Sequence, residues 1–127
     1  MQDKHLFEYA VIRVVPRVER EEFLNVGVML YTHRKKFLGI RYTVNRERLT
    51  AFNGLVECDL IQHCLESFER ICHAGANSGP IGALDAASRF RWLTSPRSTI
   101  VQTSKVHPGF CSDPEAELER LFQQLVL

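Results

Sequence analysis

Two apolar runs, residues 7–15 and 25–31, are separated by Pro16 and a dense charged segment, and they restrict the fold more than any other feature of the chain. The first run is rich in β-branched and aromatic residues, and its apolar side chains fall at both parities. A strand with one face in water would alternate, so this pattern predicts a central strand covered on both faces. Pro16 ends that strand, because it has no N–H to give to a ladder. Residues 17–23 fit a single helical turn. Residues 25–31 form a second strand, in which Gly27 marks a bulge or a close approach by other atoms. Arg13, Arg17, Arg20 and Asn25 thus stand amid apolar neighbours, and an arginine in a strand core needs a partner.

Further along, residues 32–35 read as a turn and 36–42 as a third strand, which makes a hairpin with the second. Residues 45–55 are loop chemistry around Asn53-Gly54, enclosing a short helical turn at Arg46 to Phe52. Val56 to Ala74 has the clearest helical period. Leu60, Ile61, Cys64, Leu65, Phe68, Ile71 and Cys72 share one face, and Cys58 lies on the polar arc. Ala74 to Pro80 is a breaker whose Gly and Asn can cap that helix. Ala83 to Thr94 reads as a helix with Leu84, Ala87, Phe90 and Trp92 or Leu93 inward, halted by Ser95-Pro96. Residues 98–104 have the pattern of a fourth strand, and residues 105–112, with Pro108-Gly109, that of a loop. Asp113 as N-cap, Pro114 at the first helical position and Glu115 and Glu117 in the first turn open a last helix. Its inward stripe is Leu118, Leu121, Phe122 and Leu125.

Early strands, helical cover and a later strand give a single α+β domain over residues 1–127. Its sheet is small and mostly antiparallel, with about four strands covered by two or three helices. A chain of 127 residues is long enough for a self-sufficient core. The net charge of +1 argues against a strong whole-surface pull on nucleic acid or anionic membrane. The distribution is uneven: residues 1–50 carry +4, residues 51–88 carry −4 and residues 89–127 carry +1. No signal peptide and no apolar run near the roughly 20 residues of a membrane span is present, so a cytoplasmic location is expected. The four cysteines read as free thiols in a reducing compartment.

Candidate chemistry is sparse. Cys58-x5-Cys64-x7-Cys72 does not match the short ligand pairs of structural zinc sites, and His107-x3-Cys111 has no second pair, so neither a metal nor a cofactor is expected. Cys111 before the Asp113 cap, with His107 upstream, has the residues of a Cys–His pair but no third group to orient the base. Glu19, Glu21 and Glu22 beside Arg17 and Arg20 have the alternating signs of a solvated surface. Arg34, Lys35, Lys36, Arg41, Arg46 and Arg48 make a basic edge, where Tyr31, Phe37 and Tyr42 could stack bases. No catalytic residue can be named. That favours a non-enzymatic module, although carboxylates set against arginines leave catalysis open.

The segment Tyr9-x2-Ile-Arg-x-Val-Pro-x3-Arg-x-Glu-Phe-x-Asn-Val-Gly-Val-x-Leu resembles a bacterial family of unknown function, family 3037. The resemblance continues through Arg97-Ser-Thr-Ile-Val-Gln-Thr, His107-Pro-Gly, Asp113-Pro and Leu121-Phe; over residues 56–80 it holds in pattern only. It implies a small bacterial protein of a kind often encoded beside a HipA-like serine/threonine kinase of the toxin–antitoxin type, and hence a protein that binds or regulates that kinase. The positions where binding is expected are Arg13, Arg17, Arg20, Asn25, Gly27 and His107. Purely structural roles compete: Arg13 and Arg20 pairing with Glu22 or Asp113, and Gly27 admitting a helix. The alternative function is a nucleic-acid-binding protein or small nuclease that uses the basic edge.

Overall fold

The computed structural model describes residues 3–127. β1 (His5–Val14) pairs antiparallel with β2 (Leu24–Thr32), and β2 pairs with β3 (Phe37–Tyr42). On its other side β1 pairs with β4 (Val101–Thr103) along Ile12 to Val14 and with β5 (His107–Cys111) along His5 to Tyr9. β4 and β5 therefore form one interrupted row, and the sheet has four rows in the order β3, β2, β1, β4/β5. This is the small antiparallel α+β sheet expected from the sequence. The interruption is at Ser104, whose N–H donates to Val11 O at 2.8 Å while its hydroxyl receives Val11 N–H at 2.9 Å.

Two cores sit on opposite faces. On one, Ile12, Val14, Met29 and Ile40 meet Ile61, Leu65 and Phe68 of α2 (Cys58–His73) and Phe90 and Leu93 of α4 (Ala86–Leu93). Leu49 of α1 (Arg46–Phe52) closes that core from the side. On the other, Phe7, Val28, Leu30 and Cys111 meet Leu118, Leu121 and Phe122 of α5 (Pro114–Leu125). β1 and β2 contribute to both, which is why neither alternates. Each fully buried Leu, Ile or Phe in these layers is worth about 1.5–3 kcal/mol. No helix among the described residues is long and apolar enough to cross a membrane.

Four details depart from the expected pattern. Residues 107–111 form a strand, where Pro108-Gly109 suggested a loop. The strand lies at an outer edge, where a proline with no N–H can face outward at no cost to the ladder. A short α3 (Gly79–Gly82) occupies part of the breaker after α2. In α2, Leu60 is 55% exposed and Cys58 is buried. The buried arc of α2 is centred about 100° round the helix from Leu60, so Leu60 falls on its rim and Cys58 falls inside it. Leu84 precedes α4 and is exposed, as is Trp92 in part.

Candidate functional site

The pairing of β1 with β2 slips once. Ile12 faces Gly27, but Arg13 faces Asn25, so Val26 is an extra residue in β2. Such a bulge re-aims the side chains beyond it. Here it turns Asn25 to the face covered by α5; Arg13, at the parity of Phe7 and Tyr9 in the unbroken β1, lies on that face without it. Gly27 makes the slip possible by close approach: a Cβ there would lie 2.8 Å from Arg41 O and 2.9 Å from the Tyr42 Cβ. What approaches is the neighbouring strand β3, not a helix.

At this end of the sheet α5 terminates. The Asn25 amide donates from Nδ2 to Leu125 O at 3.1 Å, and the Arg48 guanidinium donates to Val126 O at 2.7 Å. Both occupy carbonyls that a helix end leaves without intrahelical partners. The positive guanidinium also suits the negative end of the α5 dipole. Asn25 thus has a structural task, but its Oδ1 is buried with no hydrogen-bond partner among the described residues.

Arg13 is half-buried, and its guanidinium carbon stands 3.9 Å from the centroid of the Phe23 ring. Its Nε is buried without a partner, and Arg13 forms no ion pair among the described residues. Burial lowers its pKa from the ordinary arginine value, with no carboxylate to oppose the shift. A neighbouring π face is worth about 0.5–1 kcal/mol at a partly exposed site, and no carboxylate among the described residues adds to it. Phe23 is 44% exposed and Val18 is 57% exposed. The result is an uncompensated cation lying on an aromatic ring that itself reaches solvent.

The other candidate positions do not join this pair. Arg17 bonds Glu19 at 2.7 Å and Arg20 pairs with Glu22, all four on or beside the 3-10 turn Val18–Arg20. Arg17 and Arg20 line a cleft of only ≈ 20 Å³ against Phe52 and Asn53, room for about one water. His107 is exposed in β5 and its ring lies 5.3 Å from that of Tyr9, its partner in β1. Tyr9 is four residues from Arg13, about 13 Å along a strand. Cys111 is four residues from His107 in the same strand, again about 13 Å, so β5 holds the two apart. Burial also pushes the Cys111 thiol up, against thiolate formation.

Most of the remaining groups are engaged in the fold, whereas Arg34, Lys35 and Lys36 of the basic edge are exposed and in no ion pair among the described residues. Cys72 is pushed up to about 12, chiefly by burial. No group of three or more His, Cys, Asp or Glu that could hold a metal ion occurs among the described residues. Arg41 bonds Glu119 at 2.9 Å, and Arg46 pairs with Asp59. Tyr31 stacks on Phe90 at 5.6 Å inside the core, and the Tyr42 hydroxyl donates to Glu69 at 2.9 Å. Arg89 donates to Ile71 O and Cys72 O at the end of α2, and Arg97 to Leu93 O and Trp92 O at the end of α4. Phe23 is not among the positions where the sequence predicts binding. An aromatic embedded in a run of charges was the available signal.

Neither the curated proteins nor the solved structures contain a match to this chain. One family model does match, and it spans residues 9–126, taking in Arg13, Asn25 and Gly27 at the bulge as well as Arg17, Arg20 and His107. The chain therefore belongs to the family described as protein of unknown function (DUF3037).

Proposed function

We propose that this protein is a non-enzymatic module that docks on a second protein, and that Arg13 on Phe23 is the centre of the docking surface. The observation carrying this reading is the guanidinium without a carboxylate, partly desolvated and laid on an exposed aromatic ring. Arginine and aromatic residues dominate the energetics of protein interfaces, and a bidentate carboxylate is the group that best completes such a site. The partner therefore offers an Asp or Glu side chain to Arg13 and apolar surface to Phe23 and Val18. The partner suggested by the family resemblance is a HipA-like serine/threonine kinase. Docking changes the kinase's activity only if the module binds its active and inactive states unequally.

The test is co-purification of the tagged protein from its native host, with and without nuclease, followed by binding measurements on Arg13→Ala and Arg13→Lys. A kinase retained through nuclease and high salt, and bound at least about tenfold more weakly by Arg13→Ala, is the expected result. Arg13→Lys should rescue it only in part, because an ammonium cannot form the bidentate pair. Circular dichroism should leave both variants folded. Recovery of nucleic acid that is released steeply as salt rises would favour instead a role for the exposed Arg34-Lys35-Lys36 tip.

A further inference from the structure

The two outer edges of the sheet are treated differently. The β4/β5 edge is interrupted at Ser104 and carries Pro108, and the Thr99 hydroxyl occupies Val101 O at 2.8 Å. These are devices that blunt an edge against pairing with another strand. β3 has none of them: Phe37-Leu-Gly-Ile-Arg-Tyr42 contains no proline and no break in register.

The direction of its free backbone groups follows from the ladder. Thr43 N–H donates to Val26 O at 2.9 Å, and in antiparallel pairs hydrogen-bonded and non-bonded positions alternate. In the register Val28↔Arg41, Leu30↔Gly39 and Thr32↔Phe37, those three β3 residues therefore address β2, while Leu38 and Ile40 turn their N–H and C=O groups outward. These groups lie along an open groove of ≈ 610 Å³. Its walls are His73 at the end of α2 and Glu115, Leu118 and Glu119 of α5. The ends of the strand differ in charge. Arg34, Lys35 and Lys36 at the hairpin tip form no ion pair among the described residues. Around the Tyr42 end stand three carboxylates, Glu66, Glu69 and Glu119, against two guanidiniums, Arg41 and Arg70.

We propose that two copies of this chain join edge to edge through β3, antiparallel about a two-fold axis at Gly39, making one continuous sheet. That axis sets Leu38 opposite Ile40 of the second copy and Ile40 opposite its Leu38. The outward groups then meet outward groups, in about four hydrogen bonds. It also lays the basic tip of each copy against the acidic end of the other, which is why the occupant is a second copy. Gly39 brings no side chain to the axis. A self-complementary patch of this kind closes as a dimer and does not propagate.

The experiment is sedimentation velocity over a wide concentration range, combined with amide exchange of Leu38 and Ile40 followed by NMR. A dimer is expected, with both amides protected in proportion to the dimer fraction. The double variant Lys35→Glu/Lys36→Glu, on exposed residues, should weaken dimerisation about tenfold or more with the melting curve of the dilute monomer unchanged. A monomer at every concentration would overturn the proposal. So would a dimer in which Leu38 and Ile40 exchange as freely as in an unstructured peptide, or one indifferent to the charge reversal.

Discussion

At the scale of single residues, two small residues carry more of the fold than their size suggests. Gly27 allows β2 and β3 to approach so closely that a methyl group would meet backbone oxygen at 2.8 Å. Backbone cannot step aside as a flexible side chain can. Gly27→Ala is therefore expected to cost about 1–3 kcal/mol, read as a lower urea midpoint. Ser104 supplies the acceptor for a buried Val11 N–H at the point where β4 gives way to β5. Ser104→Ala leaves that N–H unpaired, and a loss of about 1–3 kcal/mol is expected. Ser104→Thr keeps the hydroxyl and should recover most of it. Gly27 is legible in the sequence as a point of close approach. Ser104 is not, because a serine at a strand end is ordinary until its cross-strand partner is known.

At the scale of elements, α5 is the part best encoded locally. Asp113 accepts from Glu115 N–H at 3.1 Å and from Ala116 N–H at 3.2 Å, Pro114 opens the first turn, and Leu118, Leu121 and Phe122 are buried. Asp113→Ala should cost about 1 kcal/mol, and Asp113→Ser much less, since serine caps nearly as well. Guanidine melts of the two variants side by side would separate loss of the cap from loss of charge. The other end of α5 could not be foreseen. Its carbonyls are taken by Asn25, 100 residues away in sequence, and by Arg48 of α1. β5 is hidden in the sequence for a related reason: a proline breaks a central strand but not an edge, and edge position is a property of the sheet.

At the scale of the whole molecule, the sheet is clamped between two cores, and α2 is tied to β3 by the bond from the Tyr42 hydroxyl to Glu69. Burial, with the Glu69 bond second, pushes the Tyr42 hydroxyl up to about 12 from 10.0. A pKa raised on folding means that the folded state holds the proton more tightly. The stability from this group is thus complete below pH 10 and lost as pH rises from 10 to 12. Denaturant midpoints measured in steps across that window should fall more steeply for the native chain than for Tyr42→Phe, and the two curves should converge at the alkaline end. Parallel curves would show that the bond to Glu69 contributes nothing to the clamp.

The sequence by itself determined which segments are strands and helices wherever burial imposes a period or a cap imposes a residue type: β1 and β2 apolar at both parities, α2 by its face, α5 by Asp113 and Pro114. It also singled out the arginines and Asn25 around the second strand. Only the tertiary structure decided which of them are satisfied. Arg17 and Arg20 found glutamates two residues away, Arg46 and Arg48 found partners in other elements, and Arg13 found, among the described residues, only a ring. Charge pairing depends on a few ångströms of through-space distance. Here a one-residue slip between β1 and β2 sets Asn25, not an acid, opposite Arg13; Gly27 marks the slip locally, but not which residues it brings together.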